Sequence, residues 1–144
     1  MAVGGSGVSG QRVWVGGGSN GLHVLGDVWW SDDGGGNWTM ATDGAAWGGR
    51  AGHVLVACGD GLLLAGGRAW DSFGMPEADL HDVYGGLPDQ AWASIDGAAW
   101  ELRGVGFGGR DQTGGTCDEG MRVWVIGGIG PSGPLGDVWI SDAE

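Results

Sequence analysis

The stretch Gly26-Asp27-Val28-Trp29-Trp30-Ser31-Asp32-Asp33-Gly34-Gly35-Gly36-Asn37-Trp38 reads as a strand, a tight Gly/Asp turn and a second strand. Pieces of it recur. Asp27-Val28-Trp29 returns as Asp82-Val83-Tyr84 and again as Asp137-Val138-Trp139, with 55 positions between successive copies. A fixed spacing of this size marks a repeat architecture, in which each repeat is one supersecondary unit that buries its apolar face against its neighbours.

The segments between these copies are short strands that end at glycines. Gln11-Arg12-Val13-Trp14-Val15 runs into Gly16-Gly17-Gly18, and Leu62-Leu63-Leu64-Ala65 runs into Gly66-Gly67. Met121-Arg122-Val123-Trp124-Val125-Ile126 runs into Gly127-Gly128. Arg50 to Cys58 and Arg110 to Cys117 fall at matching places, and Gly59-Asp60-Gly61 is a hairpin turn of the Asp-Gly kind. Residues 1 to 10 are a weak strand or a lead-in. Asp43-Gly44-Ala45-Ala46-Trp47 recurs letter for letter as Asp96-Gly97-Ala98-Ala99-Trp100, which predicts two connections between repeats, each with a Trp plugged into a core. No segment has apolar residues at i, i+3 and i+4 over helical length. The 36 glycines follow no three-residue period and 42% of the chain is hydrophobic, so the composition fits an all-β protein with many turns.

Eighteen acidic residues stand against six basic ones, giving a formal charge of −12 that repels nucleic-acid phosphates and argues against such a partner. No run of about 18 apolar residues occurs, so no helical membrane span is expected. Met1 to Gly7 lacks the basic and apolar regions of a secretory signal. Cys58 and Cys117 occupy matching positions in adjacent units. Strands neighbouring about an axis are expected to hold such Cα atoms beyond the ~7 Å bridging limit, which predicts two free, partly buried thiols.

A strand ending in Gly-Gly, a loop, an aromatic residue and a later Trp, at a period near 50, resembles the kelch repeat. The glycine pairs are Gly17-Gly18, Gly66-Gly67 and Gly127-Gly128; the aromatic position is held by Trp29, Tyr84 and Trp139, and the later Trp by Trp38 and Trp92. The resemblance implies a β-propeller of four-stranded blades, of the kind found in the central domain of galactose oxidase. About three blades are expected, near residues 11–43, 50–96 and 110–142, the first and last incomplete. Ser31, Asp33, Gly35 and Trp38 also resemble an Asp-box of the sialidase type, with Asn37 in place of its Thr. Propellers close with roughly four to eight blades, so the chain reads as part of a longer propeller, with a ring completed by two copies as the alternative.

Catalytic chemistry finds little footing. Sialidase-type hydrolysis uses a Tyr nucleophile, and the one Tyr, Tyr84, sits at a repeat position filled elsewhere by Trp. The galactose-oxidase constellation of tyrosine, histidine and cysteine is not supplied. His23, His53 and His81 show no ligand spacing, and Asp32, Asp33, Asp60, Asp118 and Glu119 gather at turns without a complete calcium-loop pattern. No catalytic residue, metal or cofactor is therefore assigned. Arg50 and Arg110 open equivalent inner strands, where they could recognise an anion or pair with a local Asp. The loops Ser19 to Leu25, Ala69 to Ala78 and Gly104 to Gly109 are the expected contact surface, with Trp70 and Phe73 as anchors. The expectation is a non-enzymatic module that binds a protein partner; a glycan-binding or glycoside-hydrolysing propeller is the alternative.

Overall fold

The computed structural model describes residues 2–4, 11–69 and 89–141. Among them there is no helix, and eleven strands form three antiparallel sheets. The first sheet orders β1 (Ala2–Gly4), β2 (Arg12–Gly16), β3 (Val28–Ser31) and β4 (Thr39–Thr42) side by side. The second orders β5 (Val54–Cys58), β6 (Gly61–Ala65), β7 (Ala91–Ser94) and β8 (Glu101–Gly104). The third holds β9 (Gly114–Cys117), β10 (Val123–Gly130) and β11 (Gly133–Ile140), with β10 in the middle. The first strands of the sheets are neighbours, β5 lying beside both β1 and β9.

Two expectations about strand placement are corrected. The first sheet has four strands rather than three, because Ala2–Gly4 pairs with β2 in the register Ala2↔Trp14 and Val3↔Val13. In the second sheet the third described strand follows β6 in the ladder; Asp82-Val83-Tyr84 lies outside the described residues. That strand is Ala91–Ser94, and the sheet continues past residue 96 to Gly104. Register identifies the true counterparts: Trp29 faces Val15, Trp92 faces Leu64 and Trp139 faces Val125. In each case the indole N–H donates to the side chain two residues earlier, Asp27 at 2.7 Å, Gln90 at 3.3 Å and Asp137 at 2.7 Å. Gln90 thus stands where the other units carry Asp, and the equal 55-residue spacing does not mark equivalent positions.

Strand alternation sends side chains to both faces of each sheet. Leu62 and Leu64 turn toward the first sheet and join Trp14, Val28, Trp47, Leu55 and Trp100 in the main core, with Trp30 and Trp92 packed against it. Leu63 and Ala65 turn the other way, toward Val125 of the third sheet, in a smaller cluster with Val54, Ala91 and Phe107. The joint between sheets one and two is therefore rich in tryptophan, whereas the joint between sheets two and three is mainly aliphatic, with Phe107 and no tryptophan in its cluster.

Cys58 and Cys117 form a disulfide across the second joint, their Cα atoms 5.4 Å apart, which corrects the expectation of free thiols. The close approach has a local cause in Gly115 of β9: a Cβ there would lie 2.5 Å from a Val54 methyl of β5. Residues 110–117 make a poor strand by propensity because the position facing β5 must lack a side chain.

Candidate functional site

The residues with functional potential divide into those that hold the sheets together and those that line a cleft. Trp47-Gly48-Gly49-Arg50 and Phe107-Gly108-Gly109-Arg110 form the same device at successive joints. Each arginine folds back to donate to the carbonyl three residues earlier, Trp47 O or Phe107 O, and to the first carbonyl of its own glycine pair, Gly66 O or Gly127 O, at 3.1 Å. Its backbone carbonyl meanwhile accepts from the glycine pair of the preceding sheet, Gly18 N–H to Arg50 O and Gly67 N–H to Arg110 O, both at 2.8 Å. The glycine pairs are required here. Gly17 and Gly66 have φ of 60° and 67°, and a Cβ would meet the arginine carbonyl at 2.7 and 2.9 Å.

Arg50 and Arg110 are both buried, so neither presents its guanidinium as an open anion site. Arg110 takes the local-pairing role, in a two-pronged ion pair with Asp137 at 2.7 and 2.9 Å. That pair, followed by the bond from Trp139, holds the Asp137 carboxyl well below the usual carboxylate range. Arg50 instead reaches Gln90 Oε1 at 3.4 Å, and burial pushes it down to about 10. His53 sits between the glycine pairs of sheets one and two, its ring 6.0 Å from that of Trp47. Burial, and then the Arg50 charge, pushes it down to about 4.

The acidic turns are closed by their own backbone. At Ser31–Trp38, Ser31 Oγ donates to Asp33 at 2.7 Å and accepts from Gly35 N–H at 2.9 Å. Asp33 accepts from the Asn37 N–H and amide, and Trp38 Nε1–H donates to Gly35 O at 3.0 Å. The backbone bond from Asn37, then the Ser31 hydroxyl, holds the Asp33 carboxyl low. The β7–β8 turn repeats this arrangement with Ser94, Asp96, Gly97 and Trp100. Bonds from the Ala99 and then the Ala98 N–H groups lower Asp96. In the β9–β10 turn Asp118 accepts from Trp124 and Arg122 and is lowered to about 2. Among the described residues no three His, Cys, Asp or Glu side chains gather as a metal site.

A cleft of about 930 Å³ lies open between sheets two and three. Leu63, Ala93, Val125 and Phe107 line it, together with the more exposed Val105, Trp139, Glu101 and Arg103. The corresponding space between sheets one and two is filled by the β7–β8 turn: Trp100 is buried there, edge-on to Trp47 at 5.8 Å, and Gly97 rests against the Trp14 ring. Beside the cleft, β11 is paired on one side only among the described residues, to β10.

Of the expected contact loops, Ser19 to Leu25 is closed on itself by the Asn20 side chain and exposes Leu22. Gly104 to Gly109 contributes Val105 and Phe107 to the cleft. Trp70 and Phe73 lie outside the described residues. The cleft was not foreseen from sequence; the repeated Trp/Phe-Gly-Gly-Arg string was a readable sign of the joints that flank it.

No known family profile and no curated protein matches the chain. Its fold is similar to a solved structure, that of YjhT, with a TM-score of 0.66 and 20% identity, over 98% of this chain and 44% of that one. At this identity the likeness concerns fold alone, and the chain spans less than half the length of that neighbour.

Proposed function

We propose that the chain is a segment of a kelch-like β-propeller that acts as a non-enzymatic protein-interaction module, and that it binds through the cleft between sheets two and three. The observation that carries the reading is the contrast between the two joints. One is filled by a hairpin turn bearing Trp100; the other, lined by Leu63, Ala93, Val125 and Phe107, stays open beside β11, which among the described residues is paired on one side only. An extended partner segment that adds to β11 and places an aromatic ring in the cleft would gain ladder hydrogen bonds and apolar burial together. The glycine pairs and the Ser-x-Asp turns, which are of Asp-box kind, support the propeller reading.

A labelled peptide of residues 91–104, the hairpin that fills the first joint, serves as the probe. Saturable binding by fluorescence anisotropy is expected, lost when the peptide carries Trp100→Ala. Equal binding of both peptides, or none at any soluble concentration, would sink this reading. A glycan ligand is the second reading, favoured by the aromatic rings of Trp139 and Phe107 and the charged Glu101 and Arg103 lining the same cleft. Signal on a glycan array without peptide binding would move the assignment there.

A further inference from the structure

We infer that copies of this chain associate head to tail, the outer face of sheet three in one copy packing on the outer face of sheet one in the next. The argument rests on an interface the chain already contains. Where sheet one meets sheet two, Trp14 and Trp30 of one face pack against Leu62, Leu64, Trp92 and Trp100 of the other. Register shows that both halves of this contact occur again at the ends of the array. Trp124 pairs with Ile140 on the outer face of sheet three as Trp14 pairs with Trp30, and Ile126 and Val138 extend the row. On the outer face of sheet one, Val13 pairs with Ser31 as Leu62 pairs with Ser94, and Val15 pairs with Trp29 as Leu64 pairs with Trp92. Trp38 holds the place of Trp100 in its turn.

Among the described residues nothing packs over these surfaces. Val15, Trp38 and Met40 are exposed at one end, and Ile126, Val138 and Ile140 at the other. Contiguous apolar rows of this kind mark association surfaces, and here each row has the partner geometry of the other, not of itself. Such a contact is heterologous and closes into a ring when the rotation per copy permits. The charge of −12 on each copy opposes the contact, and association should therefore strengthen as salt rises.

Sedimentation velocity over a concentration series at moderate salt tests the idea. The wild-type chain should pass from monomer to dimer. Met40→Asp spoils the sheet-one surface and Val138→Asp the sheet-three surface; each alone should weaken self-association by at least about tenfold, roughly 1.4 kcal/mol. The two variants mixed should recover a one-to-one complex, because each keeps one intact surface. Near-ultraviolet circular dichroism verifies folding, and Val15→Asp and Ile126→Asp replace any variant that fails it. A wild-type chain monomeric at every concentration, folded variants that still associate, or a folded mixture without recovery would each overturn the inference. Met40 lies in sheet one, away from the cleft and from β11, so binding of the 91–104 peptide should persist in Met40→Asp, and the two proposals fail separately.

Discussion

The turns at Ser31–Trp38 and Ser94–Trp100 are closed by the same hydrogen bonds, yet they stand in opposite environments. In each, a serine hydroxyl donates to an aspartate two residues on and accepts a backbone N–H, and a Trp indole donates to a glycine carbonyl. Trp38 nevertheless remains 40% exposed while Trp100 is 7% exposed. The hydrogen bonds are local and follow from the Ser-x-Asp spacing. The burial is not local: Trp100 has sheet one to press against, and Trp38 faces a side that no described sheet covers. A turn of this kind is therefore a self-contained clasp whose contribution to packing is set by its neighbour.

The largest test of that difference is truncation of the two indoles. Trp100→Ala should destabilise the chain by about 3–5 kcal/mol, the range for emptying a packed aromatic site, with a lowered urea midpoint. Trp38→Ala should cost about 1 kcal/mol or less, because most of its loss is a partly solvated surface and one exposed hydrogen bond. Equal losses would mean that Trp38 is covered in solution, as the head-to-tail contact requires at high concentration; dilution to monomer should then restore the difference.

The second joint lacks an inserted Trp and carries the Cys58–Cys117 crosslink instead. Cys58→Ser with Cys117→Ser should cost about 2–4 kcal/mol, in the usual range for removing a native disulfide that closes a long loop. The loss should be uneven. Amide exchange is expected to accelerate in β9 to β11, while β2 to β4, held by the tryptophan core, keep their protection. Uniform acceleration would show that the two joints unfold as one cooperative unit.

Much of this architecture was legible in the residues, and the failures were specific. Alternation and glycine punctuation locate nearly every described strand, since both reflect the local sterics of a pleated chain. Register is not local, which is why Asp82-Val83-Tyr84 read as a repeat when Gln90-Ala91-Trp92 holds the equivalent strand. Gln90 keeps the acceptor for the Trp92 indole but loses the carboxylate that made Asp27 and Asp137 recognisable. The two Asp-Gly-Ala-Ala-Trp strings likewise do different things. The first links sheets one and two; the second is a hairpin turn within sheet two, and their Trp side chains meet edge to face. The disulfide was missed because Gly115 draws β9 and β5 together, and a glycine in a weak strand does not announce what it approaches. The cleft depends on which side chains are absent from a space, which no single stretch encodes.

Acid should separate the first joint from the acidic turns. His53 is held at about 4 in the folded chain against an ordinary 6.5, so the unfolded chain binds a proton through that window and the folded chain does not. Stability is then full above about pH 6.5 and falls as pH drops, by on the order of 2 kcal/mol at about pH 4.5. His53→Gln should flatten this slope in urea titrations at successive pH values. The carboxyls of Asp33, Asp96 and Asp137 are lowered, so their stabilisation is present above the ordinary carboxylate range and is lost only as pH falls below it. A slope that survives His53→Gln would place the acid sensitivity elsewhere.

The smallest predicted effect is also the most discriminating. Ser31 and Ser94 are both buried, and each hydroxyl serves one carboxylate and one turn N–H, whatever surrounds the Trp beyond it. Ser31→Ala and Ser94→Ala should therefore each cost about 1–2 kcal/mol and agree within about half a kcal/mol. Their sum with the matching Trp truncation separates clasp from packing. Ser31→Ala and Trp38→Ala should add, since an exposed indole loses little more when its turn loosens. Ser94→Ala and Trp100→Ala should fall short of additivity, because a loosened turn has already withdrawn the indole from the joint. Additivity at both turns would mean that Trp100 is held by the core alone and that its clasp contributes nothing to placing it.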